Sequence, residues 1–336
     1  MKLLYTDYTD EAKLRELSEK HKVPGFNYCL IKNGVAGETR AFGIKNSETM
    51  EPVTPDTIFE AASLTKTLFS TIVMRLVDRG IIDLDESMYE RAPELCVSDD
   101  PKVKKITPRI ALSHGTGFPG WGDRPHLPID FEPGSDYRYS GEGYYWLQFL
   151  VDKITGKEFC DHFFDEIIKP LGMEDSYPVW ALEMTKKESN KFDKDGVMQE
   201  LRMEIDDHSS VPEPNAAWSL YTSAQDYAKF MCEVLNNHAG ISDKTFKEQT
   251  SRQNKATDHV YWGLGWGLCA EDENVIWHWG DNGCYRALTA MDLETKDGIC
   301  IFTNGFNGGD LCIDLFKILT GDKYWDDVAE FIAHAE

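Results

Sequence analysis

The strand signals of this chain sit at its two ends, and that placement limits the available folds more than any other feature. Near the start, residues 26–32 form an apolar run, Asn33-Gly34 is a tight-turn dipeptide, and residues 37–43 return as a second strand. Near the end, residues 275–280, 285–292 and 298–303 alternate or run apolar in the same way, followed by a helix over 310–319. Helical periodicity marks residues 10–20 and, between the two strand groups, 106–112, 142–154, 159–168 and 224–236. Strands at both termini with helices between them predict an α/β (α+β) fold, in which one antiparallel sheet sewn from both ends carries an inserted, mostly helical middle. The expected division is 1–62 with 270–336 as the sheet region and 63–269 as the helical region, within one compact unit.

The stretch Ala61-Ala62-Ser63-Leu64-Thr65-Lys66-Thr67 opens a further helix. Leu64, Leu68, Ile72 and Leu76 recur every fourth residue with Val73 and Val77 beside them, the stripe of a helix with one buried face, and Gly80 is a natural stop. Ser63 falls at the first turn, where unpaired backbone N–H groups and the positive end of the helix dipole favour a developing oxyanion. Lys66 lies three residues on, so its amine reaches the face that carries the Ser63 hydroxyl. A serine hydroxyl is a poor nucleophile until a base takes its proton, and a desolvated lysine amine can be that base. Small side chains at Ala61 and Ala62 leave the backbone open to a substrate. Ser-x-x-Lys occurs once in the chain; by itself it reads more readily as an N-capping serine followed by a solvated lysine.

With 336 residues, 41% of them hydrophobic, the chain can bury a large core. Its net charge of -23 argues against nucleic acid or an anionic membrane surface as a partner. The first residues lack the apolar run of a secretory signal, and no other segment is long and apolar enough to span a bilayer, so the expectation is a cytoplasmic protein. Eight scattered cysteines without a C-x-x-C pair fit reduced, mostly buried thiols. Nine histidines without H-E-x-x-H spacing give no support for a metal site. No P-loop, dinucleotide fingerprint or G-x-S-x-G elbow is present, and no cofactor is expected.

Three more stretches bear on Ser63. Residues 137–144 turn into a helix and place the Tyr139 phenol at a loop position; His278-Trp279-Gly280 ends a strand; and residues 261–267 supply an aromatic, glycine-spaced segment before it. With Leu112-Ser113-His114-Gly115-Thr116-Gly117, Pro170-Leu171-Gly172-Met173 and residues 220–226, in this order and spacing over about residues 23–307, the chain resembles the serine β-lactamase and DD-peptidase superfamily. Within it the resemblance is to the class C branch, which holds class C β-lactamases, D-aminopeptidases and related esterases. It implies Ser63 as the acylated nucleophile and Lys66 as its base or electrostatic partner. Tyr139 would shuttle protons, its phenol made more acidic by the charge of Lys66. His278-Trp279-Gly280 would replace the Lys-Thr-Gly strand motif. The backbone N–H groups of Ser63 and Asp281 would form the oxyanion hole. Residue types leave open which of Lys66 and Tyr139 is the base.

Two departures from the family pattern matter. Gly141 stands where the family's Tyr-x-Asn motif has an amide for the lysine and for a substrate acylamino group. His278 stands where class C β-lactamases have a lysine, so a permanent cation becomes a group mostly neutral at pH 7. The expectation is therefore a metal- and cofactor-free serine hydrolase with its cleft between sheet and helices, acting on a small or medium ester. D-Amino-acid amides or peptides (a D-aminopeptidase or DD-peptidase) come next and β-lactams third, with a penicillin-binding-like sensor that acylates without turnover as the non-enzymatic reading. Gly141, Trp279, Gly280, Trp121 and Trp262 are the expected substrate-binding residues, and His114 and Ser113 read as fixing their loop. Residues 118–135 are expected to be an irregular wall, and 183–215 an excursion with a hairpin at Lys194-Asp195-Gly196; either segment can narrow or cover the cleft.

Overall fold

Both ends of the chain meet in one nine-stranded sheet, in a computed structural model that describes residues 1–199 and 213–335. Its strands are β1 (Gly25–Lys32), β2 (Val35–Ala36), β3 (Arg40–Gly43), β4 (Asn254–Lys255), β5 (Val260–Trp262), β6 (Gly267–Cys269), β7 (Val275–Asp281), β8 (Arg286–Asp292) and β9 (Asp297–Thr303). Their order is β2-β1-β9-β8-β7-β6-β5-β4, with β3 also on β1. Every pairing is antiparallel, and the first long strand is stitched to the last with Phe26 opposite Thr303 and Cys29 opposite Cys300. Asn33 and Gly34 both take the left-handed conformation (φ 51° and 77°) that a two-residue hairpin needs. β5 and β6 overlap the 261–267 stretch, which the sequence shows only as aromatic and glycine-spaced, and β4 lies before it. They are two or three residues long, too short to show an alternation.

Helices cover both faces of the sheet. The longer ones are α1 (Glu11–His21), α2 (Thr65–Asp78), α3 (Gly141–Thr155), α4 (Ala224–Asn237), α5 (Gly308–Thr320) and α6 (Trp325–His334). Because side chains alternate across a strand, Cys29, Ile276 and Cys300 pack with α2, α3 and α4, while Tyr28, Trp277 and Ile301 pack with α1, α5 and α6. The sequence reading stopped at α5 and missed α6. Its apolar residues Trp325, Val328 and Phe331 fall at helical spacing but follow a polar turn. All eight cysteines are free. Among the described residues no helix is long and apolar enough to cross a membrane.

α2 departs from its expected pattern. The stripe of Leu64, Leu68, Ile72 and Leu76 predicts one buried face, whereas the helix is buried without interruption from Thr65 to Met74. Its polar residues are accommodated by local bonds: Thr67 Oγ1 lies 2.7 Å from the Tyr227 hydroxyl, and Ser70 and Thr71 donate to the Thr67 carbonyl at 3.0 and 2.9 Å. α2 is thus the axis of the helical layer.

The sheet touches the start of α2 through backbone. A Cβ placed on Gly280 of β7 would lie 2.3 Å from the Ala61 carbonyl oxygen and 3.3 Å from the Ala62 Cβ. Ala62 itself holds φ 49°, a left-handed conformation costly for a residue with a side chain, so the turn before Ser63 is strained and clamped. Gly280→Ala should therefore lose about 1–3 kcal/mol, read as a lower denaturant midpoint at unchanged slope. Gly309→Ala in α5, where a Cβ meets nothing within 4 Å, should leave the midpoint where it is.

Candidate active site

Ser63 lies in a short 3-10 turn, Ala62–Leu64, that runs into α2. The turn is tied on its far side: Ala61 N donates to the Leu220 carbonyl at 2.8 Å, Leu220 N donates to Thr65 Oγ1 at 3.0 Å, and Thr65 Oγ1 donates to the Ala62 carbonyl at 2.6 Å. Ala61, not Ser63, is the N-cap of that turn, and Ser63 is partly exposed. Lys66 is 1% exposed, and its Nζ sits 2.9 Å from Ser63 Oγ and 2.8 Å from the Ala217 carbonyl oxygen. Among the described residues no carboxylate pairs with it. Burial pushes the amine well below the ordinary lysine range, because a lone ammonium in a dry site is far costlier than a neutral amine. A neutral amine can donate to Ala217 and keep its lone pair for the Ser63 proton.

The partner carbonyl is itself held. Ala217 N donates to Asn215 Oδ1 at 2.8 Å, and Ala216 N donates to Gln148 Oε1 on α3 at 2.7 Å. Sequence reasoning had no signal for Ala217, since a backbone acceptor leaves no side-chain signature.

Tyr139 closes the other side, its ring centroid 4.8 Å from Lys66 Nζ, and Tyr144 stands 5.5 Å away. The Tyr139 ring packs between His114, at 4.2 Å, and Trp279, at 4.6 Å. His114 is fully buried; its Nδ1 accepts from Ser140 N at 3.1 Å, and its carbonyl accepts from Arg138 N at 2.9 Å. Both bonds fix the backbone flanking Tyr139, so His114 anchors that loop. Ser113 Oγ donates to the Arg109 carbonyl at 2.8 Å, also within the loop's own support.

A cavity of about 500 Å³ opens beside Ser63. The helical side contributes Ser63, Lys66, Gly120, Trp121, Tyr139, Gly141 and Trp218, and the sheet contributes Trp279, Asp281 and Asn282, with Ala335 just past α6. Residues 118–135 contain no helix or strand and line the cavity through Gly120 and Trp121. Of the 183–215 segment, Lys191–Phe192 and Met198–Gln199 form the hairpin expected around Lys194-Asp195-Gly196, while 200–212 lie outside the described residues. Sequence reasoning missed Trp218 and Ala335, which show as cavity walls only when the chain is folded.

Not every expected residue lines the cavity. Beyond Trp277, β7 has no strand partner on its β6 side among the described residues, so the edge carrying residues 278–281 faces the Ser63 turn. Asp281 and Trp279 reach the cavity, and Gly280 packs on Ala61 behind it. Trp262 and His278 are fully buried and meet edge-to-face, ring centroids 5.4 Å apart. His278 Nδ1 lies 2.7 Å from the Trp279 carbonyl, which assigns the ring proton to Nδ1. Burial first, and the nearby Lys66 second, push His278 down to about 3, so it is neutral. Asp281 pairs with Arg286, and Asn282 Nδ2 donates to Glu60 Oε2 at 2.6 Å. His259, Glu271 and Asp327, whose donor atoms lie within 4.8 Å of one another, form a three-residue group of metal-ligand type, but none of them lines this cavity.

The chain matches the family described as Beta-lactamase over residues 11–320. It is 29% identical over 352 residues to penicillin-binding protein 4 of Amycolatopsis lactamdurans, covering 93% of this chain and 89% of that protein. It is 21% identical over 317 residues to protein flp of Staphylococcus aureus strain MW2; this covers 85% of the chain but spans only 60% of that protein's length. Among solved structures it resembles the octameric penicillin-binding protein homologue from Pyrococcus abyssi, with a TM-score of 0.78 at 22% identity, over 94% of this chain and 77% of that one.

The neutral burial of His278 has a measurable consequence. An unfolded histidine takes its proton near pH 6.5, whereas the folded one resists until about pH 3, so the unfolded chain binds more protons across that window and stability falls as pH is lowered through it. His278→Gln should flatten the decline in denaturant midpoint between pH 6.5 and 4. Burial also holds His114 well below its ordinary value, so a smaller slope should remain.

Proposed function

The chain belongs to the beta-lactamase family of serine hydrolases and penicillin-binding proteins, and from that premise we propose that it cleaves an ester through an acyl-enzyme on Ser63. The observation that carries this reading is the buried Lys66 amine, 2.9 Å from Ser63 Oγ with a carbonyl as its other partner. In this reading Lys66 Nζ takes the Ser63 proton as Oγ attacks the substrate carbonyl carbon. The N–H groups of Ser63 and Asp281 hold the oxyanion. As the tetrahedral adduct collapses, the bond to the leaving group breaks, and that group receives the proton through Tyr139. Water then repeats the sequence on the acyl carbonyl, releasing the acid and restoring the Ser63 hydroxyl. Gly280 keeps β7 close to the Ser63 turn, and His278 supports the strand from within.

Ester preference is supported by what lines the cavity. Its charged side chains are Lys66 and Asp281; the first is buried and pushed toward neutrality, the second carries the wrong sign and is paired with Arg286. Among the described residues, a substrate carboxylate, as in a β-lactam or a peptide C-terminus, therefore meets no cation on this lining. Gly141 offers no side-chain amide for an acylamino group. A second reading, a penicillin-binding-like protein or peptidase, is favoured by the names of the Amycolatopsis and Pyrococcus relatives.

Turnover of p-nitrophenyl acetate and butyrate, a D-alanine p-nitroanilide and nitrocefin distinguishes these readings. The short esters should turn over fastest; release that stops after one equivalent on nitrocefin would favour the sensor. Ser63→Ala and Lys66→Met should each lower kcat/KM by at least about 10³-fold, and Tyr139→Phe by about 10²–10⁴-fold. Activity surviving in Ser63→Ala would remove the nucleophile assignment. Because the base acts when neutral, kcat/KM should rise with pH through a value well below the ordinary lysine range and lie flat above it.

A further inference from the structure

We propose that Trp121 is the specificity-determining wall of the Ser63 cavity, that it stacks on a planar, uncharged group of the substrate, and that Gly141 is the residue that makes room for it. This rests on the hydrolase reading above.

Trp121 is 55% exposed, unusual for so large an apolar side chain, and it lines the cavity that holds Ser63. The six-membered part of its indole lies directly on Gly141. A Cβ built there would be 2.5 Å from Cη2, 2.6 Å from Cζ2 and 2.9 Å from Cζ3. Gly141 is not in the left-handed region, and it opens α3 behind an N-cap serine, so its backbone does not require glycine. The space for the ring does.

The backbone on each side of Trp121 is tied to the same short stretch. Ser140 Oγ donates to the Pro119 carbonyl at 2.7 Å, Gly141 N donates to the Gly120 carbonyl at 3.0 Å, and Gly122 N donates to Glu142 Oε1 at 3.0 Å. Three bonds hold the loop while the indole stays half in solvent. One face of the ring is seated on a glycine, and a large apolar area is left at the cavity for a ligand to cover. Trp218 and Trp279 line the same space. Flat apolar walls, with no accessible cation among the described lining side chains, select a flat and uncharged substrate group rather than a charged or peptide-like one.

The test compares the wild-type chain with Trp121→Ala, Trp121→Phe and Gly141→Ala on two series. The first varies the acyl group at a fixed p-nitrophenyl leaving group (benzoate and phenylacetate against acetate). The second varies the leaving group at a fixed acetyl (phenyl acetate against vinyl acetate). In at least one series, the preference of kcat/KM for the aromatic member should fall about three- to tenfold in Trp121→Ala, chiefly through KM. Trp121→Phe should retain most of it. Gly141→Ala should reproduce the loss, because its methyl group occupies the seat of the indole. The inhibition ratio of phenylboronic to methylboronic acid, which needs no turnover, should move the same way. Unchanged ratios in both series and with the boronic acids would overturn the proposal while leaving the hydrolase reading intact. A wild-type protein that a fluorophosphonate fails to label at Ser63 would overturn both.

Discussion

The structure turns on the burial of one amine. Lys66 has a fully enclosed side chain, a hydroxyl and a carbonyl as its partners, and, among the described residues, no counter-carboxylate. Desolvating an ammonium with so little compensation is expensive, and it pushes the group toward its neutral form. The surroundings then follow as conditions for keeping water and counter-charge away. α2 is buried almost all round, the 215–219 turn delivers a carbonyl where an acid would otherwise pair, and the rings of Tyr139 and Tyr144 cover the remaining approach.

A second condition is closeness between layers. β7 approaches the Ser63 turn so nearly that Gly280 admits no side chain, and Ala62 is held in a left-handed conformation by the bonds that clamp its neighbours to Leu220. Strain at this point is balanced by the packing of the helical layer on the sheet, since each fully buried Leu or Ile of α2 contributes about 1.5–3 kcal/mol. The result is a serine presented at the seam of two layers, beside a strand edge that has no strand partner among the described residues.

The departures at Gly141 and His278 have different physical meanings. Gly141 changes the surface a ligand would meet, replacing a side-chain amide with the flat face of Trp121. His278 changes the interior, because it is fully buried, neutral and packed among aromatic rings. In the sequence both look like substitutions in a binding motif. Only burial separates a wall residue from a supporting one.

Much of the architecture was legible in the residues alone. The Asn33-Gly34 hairpin, the long strands at both ends and the helix behind Ser63 follow from local turn chemistry and periodicity, which act within a few residues. The short strands at 254–269 and the helix at 325–334 were not read, the former because two or three residues carry no period. The pairing of Ser63 with Lys66 was readable because three residues on a helix fix a distance. Several features were decided only by the fold: the carbonyl of Ala217, the seat of Trp121 on Gly141, the contact of Gly280 with Ala61, and the enclosure that pushes Lys66 toward its neutral form. Each joins residues distant along the chain, and desolvation is a property of everything packed around a group rather than of the group itself.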